Sequence, residues 1–107
     1  MELGTLPPHA QPAMPRPLRI PVSLRTRIRT DGGGPADIYL RNISAMGFMG
    51  ETRRYLATGT QVTLKLPGLG LRRATVRWSI GNRIGARFAE KIDCDALRAA
   101  APAAFLQ

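Results

Sequence analysis

The chain of 107 residues has few of the residue types from which metal centres, disulfides and membrane spans are built. Cys94 is the single cysteine, which excludes an internal disulfide and a cysteine-built zinc site. His9 is the single histidine and lies among prolines, so a histidine-rich metal centre is excluded as well. No run approaches the roughly 18 apolar residues of a membrane span, and the first residues lack a secretory-signal pattern. We therefore expect a reduced, soluble, cytoplasmic protein without a membrane span.

Lysine and acidic residues are also scarce, whereas arginine is abundant. Sixteen basic residues stand against seven acidic ones, which gives a formal net charge of +9, and only Lys65 and Lys91 are lysines. Such an excess attracts the phosphate groups of nucleic acids, nucleotides or lipids. Aromatic residues make up only 6% of the chain, which is little for a surface on which bases stack. The charge predicts an anionic partner without identifying it.

The hydropathy pattern predicts a tail followed by one β domain. Residues 1–17 hold five of the nine prolines and few large apolar residues, so we predict a flexible tail there and a folded domain over residues 18–107. Apolar and polar residues alternate from Ile20 onward, which predicts a strand with an arginine-rich outer face. Similar segments separated by glycine and proline turns predict further strands at 36–43, 48–51, 61–66, 71–80 and 83–89.

Six short strands of this kind predict an all-β fold, either a small antiparallel barrel or a sandwich. The alternation places Trp78 and Phe88 on the inward face of their strands. After the last strand, residues 93–101 predict a short C-terminal helix whose start Asp93 or Asp95 can cap.

The predicted folded part offers no convincing catalytic group. It contains no histidine, its acidic residues are scattered over turns and strand ends, and Ser44 has no visible activating partner. Cys94 begins the predicted helix, a position that can favour a thiolate, although a small half-buried residue is the simpler interpretation. We therefore predict that the chain is not an enzyme and holds neither a metal nor a resident cofactor.

The segment Asn42-Ile-Ser-Ala-Met-Gly47 is the candidate binding motif. The amide of Asn42 offers two donors and an acceptor for the edge of a nucleobase. Ser44 projects to the same side of an extended strand, and Gly47 permits a close approach that a Cβ would block. The alternative is a turn in which these residues bond only to local backbone, and the residues alone favour it.

The segment from Leu40 to Met49 resembles the (D/N)-x-S-x-x-G signature of PilZ domains. The similarity continues through Gly59–Leu66, Ala74–Trp78 and Ile84–Phe88. It covers about residues 16–97, which is most of the predicted folded part. The resemblance implies a six-stranded antiparallel barrel with a C-terminal helix. It also implies binding of cyclic di-GMP, a bacterial second messenger.

In PilZ domains an R-x-x-x-R pair before the first strand grips the ligand from one side, and the second motif meets it from the other. The resemblance therefore implies ligand contacts from two groups, which are Arg16 and Arg19 in the first and Asn42, Ser44 and Gly47 in the second. The arginine pair departs from the pattern, because Arg16-Pro-Leu-Arg19 has two intervening residues instead of three. Arg19 matches the family better, since it directly precedes the first strand.

Three functions are compatible with these observations. The leading one is a cyclic di-GMP-binding module that passes its signal to an unidentified effector protein, since no output domain is visible. The second is a PilZ-like adaptor that docks to protein machinery without binding the ligand, which the altered arginine spacing favours. The third is a small basic barrel that binds RNA or single-stranded DNA along rows of arginines at 25–29 and 72–77. The scarcity of aromatic residues argues against nucleic acid as the partner.

Overall fold

The computed structural model describes residues 19–106, so the predicted tail and Arg16 lie outside the described residues. Within this range the elements are β1 (Ile20–Thr30), β2 (Ala36–Ile43), β3 (Gly47–Glu51), β4 (Gln61–Leu66), β5 (Gly70–Ile80), β6 (Arg83–Phe88) and α1 (Cys94–Ala100). A 3₁₀ turn at Pro102–Phe105 follows the helix. The prediction of six strands and a short C-terminal helix is confirmed.

The strands form one closed antiparallel barrel in the order β1-β2-β3-β6-β5-β4, and the pairing of β4 with β1 completes the ring. Of the two predicted architectures, the barrel is therefore the correct one. Four of the six pairings join strands that are consecutive in the sequence, and β3–β6 and β1–β4 are the two long-range pairings. Closure gives every strand of the described residues a hydrogen-bonded neighbour on both sides.

Alternation along the strands fills the interior of the barrel. On β1, Val22 and Ile28 are buried while the arginines between them are exposed, as predicted. Each fully buried aliphatic side chain stabilises the fold by on the order of 1.5–3 kcal/mol. The buried apolar side chains are Val22, Ile28, Ile38, Leu40, Ile43, Phe48, Leu56, Val62, Leu64, Leu66, Ala74, Val76, Ile84, Ala86, Phe88, Ile92, Leu97 and Ala104.

The helix α1 packs Leu97 into the same core. Asp93 caps it, because its carboxylate accepts hydrogen bonds from the backbone N–H groups of Asp95 at 2.9 Å and Ala96 at 3.2 Å. The predicted cap is thus confirmed at the first of its two candidate residues. No helix within residues 19–106 is long and apolar enough to cross a bilayer.

Three register shifts interrupt the regular pairing, and they align one row of residues across five strands. The shifts fall between Pro21 and Leu24 on β1, between Leu40 and Asn42 on β2, and between Val76 and Trp78 on β5. Next to them runs a continuous series of cross-strand partners, which is Pro21, Asn42, Met49, Gly85 and Trp78. Bulges re-aim side chains in this way, and they are frequent beside functional sites.

The prediction that Trp78 points into the barrel is wrong. The extra residue Arg77 reverses the alternation, so Trp78 pairs with Gly85, while the core residue Ile84 pairs with Ser79. Directly paired residues share a face of the sheet, which places the indole on the outer surface, where it is half-buried. A period of two cannot reveal an inserted residue, because a shift of one position moves every later side chain to the other face. Phe88 lies in the core, as predicted.

Candidate functional site

A groove of about 290 Å³ lies on the outer surface of the barrel, above β3, β6 and the bulged part of β5. It brings together four of the five residues that the sequence singled out. Those four are Arg19, Asn42, Ser44 and Gly47. The fifth, Arg16, lies outside the described residues.

Asn42 owes its position to the bulge on β2. The core residues of this strand are Leu40 and Ile43, which are three positions apart, so both Arg41 and Asn42 face outward. Asn42 is half-buried and lines the groove, and its side-chain amide makes no hydrogen bond to another residue within 19–106. Its donors and acceptor are therefore available to a ligand in the groove.

The hydroxyl of Ser44 is engaged by its own loop. Its Oγ accepts hydrogen bonds from the backbone N–H groups of Met46 at 3.1 Å and Gly47 at 3.3 Å. The backbone N–H of Ser44 in turn donates to the carbonyl of Gly47 at 2.8 Å, which closes the turn between β2 and β3. This is the local-backbone arrangement that the sequence allowed as an alternative, and it makes Ser44 the residue that shapes the loop.

Gly47 is required by the neighbouring strand. A Cβ at this position would lie 2.3 Å from the carbonyl oxygen of Ala86 and 3.2 Å from the Cα of Arg87. Gly47 therefore allows β6 to pack closely against β3, and these two strands form the floor of the groove.

The loop is also fixed from its other side. The carbonyl of Met46 accepts a hydrogen bond from the N–H of Phe88 at 2.8 Å, and the carbonyl of Ala45 accepts one from Ile92 at 2.9 Å. Both donors belong to buried residues. The motif loop is thus held in place before any ligand binds, so binding need not be offset by the entropy of ordering it.

Sequence reasoning missed the single tryptophan, Trp78, as a residue of this site. The indole of Trp78 lies across Gly85, where a Cβ would be 2.0 Å from its Nε1 atom. The glycine in the middle of β6 was the available signal, because an isolated glycine in a strand marks a bulge or a close contact. An indole on an open surface is a platform on which a planar base can stack.

Three arginines give the groove its charge. Arg19 and Arg87 are exposed at its rim, Arg77 is the extra residue of the β5 bulge, and no carboxylate is among the lining residues. None of the three forms an ion pair with another residue of the range 19–106. Their guanidinium groups can pair with phosphate through two parallel hydrogen bonds. The groove therefore suits a ligand that combines a planar base with an anionic group.

Cys94 does not contribute to this chemistry. Burial raises the pKa of its thiol, and the nearby carboxylates of Asp95 and Asp93 raise it further, whereas Arg98 opposes them. The thiol therefore stays protonated near neutral pH, and the start of α1 does not activate it.

Comparison with known families agrees with this geometry. The family model described as PilZ domain matches residues 15–101, a range that includes all six strands, α1 and both arginines that precede β1. No curated protein matches the chain significantly.

Proposed function

The chain belongs to the PilZ domain family, whose members are regulatory binding modules rather than enzymes, and we propose that it binds cyclic di-GMP and acts through a protein partner. One observation carries the proposal. The amide of Asn42 and the half-buried, outward-facing indole of Trp78, both from the row that the bulges align, share one groove with three guanidinium groups. No carboxylate lines this groove, and none of the three arginines forms an ion pair within residues 19–106.

Each part of the ligand has a matching group in the groove. The amide of Asn42 pairs with the edge of a guanine, and the indole of Trp78 stacks on a purine ring. The phosphates meet the guanidinium groups of Arg19, Arg77 and Arg87, each through charge-assisted hydrogen bonds worth roughly 1.5–3 kcal/mol. Arg16 adds a further guanidinium from the segment that precedes β1.

The remaining motif residues act through the loop. Ser44 holds the turn closed, and Gly47 allows β3 and β6 to approach. We therefore assign to both residues the placement of Asn42 and of the groove floor.

A calorimetric titration with cyclic di-GMP tests the proposal. We expect wild type to bind and Arg19→Ala to lose about tenfold to a hundredfold in affinity, because one charge-assisted contact is removed. Ser44→Ala should also weaken binding, since it leaves two loop N–H groups without their acceptor. Arg53→Ala is the matched control, because Arg53 is exposed and lies outside the groove. Equal heats for wild type and both site variants would remove the proposed site.

The spacing of the two arginines before β1 departs from the family pattern, and this departure favours a second function. Arg16-Pro-Leu-Arg19 is one residue shorter than the R-x-x-x-R pair of ligand-binding PilZ domains. A chain that had lost the ligand would be an adaptor that only docks to another protein. Absence of binding at high micromolar cyclic di-GMP, together with a stable complex in a pull-down, would identify the adaptor.

A further inference from the structure

A second basic surface lies beside the groove, on the outer faces of β1, β4 and β5. We call it the arginine face, and it consists of Arg27, Arg29, Lys65 and Arg73, all of them exposed. Arg29 pairs with Thr63, and Thr63 pairs with Arg73 on the other side. The two arginines are therefore two strand spacings apart, which is about 10 Å. Lys65 lies two residues after Thr63 on β4, so its exposed side chain is on the same outer face.

Three of the four cations of this face, Arg29, Lys65 and Arg73, form no ion pair within residues 19–106. The strands β1, β4 and β5 contain no acidic residue. Among the described residues only Arg27 has an ion pair on this face, with Asp37 at 3.6 Å, and both side chains are largely exposed. On the opposite side of the barrel, by contrast, Glu51 accepts both Arg41 at 3.3 Å and Arg83 at 3.6 Å. Uncompensated cations on one side create a positive field directed at a partner.

The shape of the face favours a macromolecule over a small ligand. None of its four cations lines any of the main grooves in the described part of the chain. The side chains stand on a regular, outward-curving sheet, where a small molecule would remain mostly in water. Concave sites bury most of a small ligand's surface, and this face offers no such cavity.

Two features distinguish a protein partner from a nucleic acid. Leu71 pairs directly with Lys65 and is 67% exposed, which provides an apolar contact next to the charges. Protein interfaces combine apolar contacts with a charged rim. Nucleic acid would instead need open aromatic rings for its bases. The ring of Tyr39, on the strand next to β1, is covered by the guanidinium of Arg41 at 4.6 Å from its centroid, and the exposed ring of Tyr55 lies in the loop between β3 and β4, off the three strands of the face.

From these observations we infer that the arginine face docks an acidic segment of the effector protein, with carboxylates on Arg29, Arg73 and Lys65 and an apolar side chain on Leu71. The inference rests on the proposed function only for the identity of the partner as an effector. Arginine suits the role because its fork matches a carboxylate in two parallel hydrogen bonds.

Fluorescence anisotropy with a synthetic peptide of repeated Asp-Leu-Glu-Ser units tests the inference. At low ionic strength wild type should bind the peptide, and Arg29→Glu/Arg73→Glu should weaken binding by about tenfold or more. Arg53→Glu/Lys91→Glu is the control, because it changes the net charge equally at exposed residues outside the arginine face. Leu71→Ser should weaken binding of this peptide without changing the affinity for a labelled oligouridine.

Three results would overturn the inference. The first is that wild type does not bind the peptide. The second is that Arg29→Glu/Arg73→Glu and the control variant lose peptide affinity equally. The third is that wild type binds oligouridine about tenfold more tightly than the peptide, through the same arginines. The last result would identify a nucleic-acid surface.

Titration of Arg29→Glu/Arg73→Glu with cyclic di-GMP separates this inference from the proposed function. The variant should keep the ligand affinity of wild type, because neither residue lines the groove. If wild type binds the peptide but not the ligand, the docking face stands and the ligand proposal fails.

Discussion

The groove and the arginine face are both basic, and both lie on the outside of the same barrel, yet only the groove is built to hold a small molecule. The arginine face follows regular alternation, which sends each cation straight into solvent. In the groove, bulges and two glycines break that alternation and bring an amide, an indole and guanidinium groups over a recessed floor.

The difference shows that charge and concavity have separate origins in this fold. Arginines at outward positions produce a positive surface wherever the strands are regular. Concavity requires residues that a regular strand would not use, such as Gly47 and Gly85, and inserted residues such as Arg41 and Arg77. Substitutions at the irregular residues should therefore affect ligand binding, while substitutions on the regular face should not.

The largest effect is expected from Gly47→Ala. The new Cβ would meet backbone atoms of β6, including the carbonyl oxygen of Ala86 at 2.3 Å, and a paired strand cannot move aside cheaply. We expect the variant to lose about 3 kcal/mol of unfolding free energy and about 10–20 °C in Tm, together with cyclic di-GMP binding. Thermal unfolding followed by circular dichroism measures the loss of stability.

Gly34→Ala is the matched control for this substitution. A Cβ at Gly34 has no atom within 4 Å, and Gly34 is not among the glycines with positive φ. Its unfolding free energy should stay within about 0.5 kcal/mol of wild type. Similar Tm values for the two variants would show that β6 does not constrain Gly47.

Two arginines on the same strand provide a direct test of the comparison. Arg77 lines the groove, whereas Arg73, four residues earlier on β5, belongs to the arginine face. Arg77→Ala should weaken cyclic di-GMP binding by about tenfold to a hundredfold, and Arg73→Ala should leave it unchanged. Isothermal titration measures both affinities. Equal losses would mean that the ligand responds to overall charge and not to the groove.

A smaller effect on stability is expected from Gly85→Ala, although ligand affinity should still fall. The new Cβ would lie 2.0 Å from Nε1 of Trp78, and the indole can swing outward because it lies on the surface. We expect a loss of about 1 kcal/mol in stability and about tenfold in affinity. Since Trp78 is the single tryptophan, its fluorescence emission should shift to the red as the ring enters water.

The background variant Trp78→Ala tests the cause of this effect. If Gly85 serves only to seat the indole, Gly85→Ala should add nothing to the loss of affinity in that background. Additive losses from the two substitutions would instead indicate that Gly85 acts on the ligand independently of the ring.

The contrast between regular and irregular regions also explains how far the sequence predicted the structure. Alternation correctly placed Val22, Ile28 and Phe88 in the core, and Asp93 caps the predicted helix. It failed for Trp78, since the bulge at Arg77 is set by pairing with β6 and leaves no trace in the local pattern. Three-dimensional pairing is what creates bulges, so a pattern read along one strand cannot locate them.

The candidate site was predictable in part, for the same reason. The motif from Asn42 to Gly47 is contiguous, so its residues share one loop in any fold that closes the turn. The residues alone also favoured the local turn in which the loop itself occupies the hydroxyl of Ser44, as the structure shows. The contribution of Arg77, Trp78 and Arg87 was hidden, because only the pairing of β5 with β6 brings them together.

The smallest change in Tm is expected when two cations of the arginine face are neutralised. Arg29 and Arg73 lie about 10 Å apart, and at that separation two like charges repel by about 0.4 kcal/mol in water before salt screening. Arg29→Gln/Arg73→Gln removes this repulsion and no ion pair within residues 19–106. We expect Tm to rise by about 1–3 °C at low ionic strength and the gain to vanish at about 1 M salt, where the Debye length is about 3 Å. A fall in Tm at low salt would show that these arginines stabilise the barrel, which would turn the arginine face from a surface held for a partner into a part of the fold.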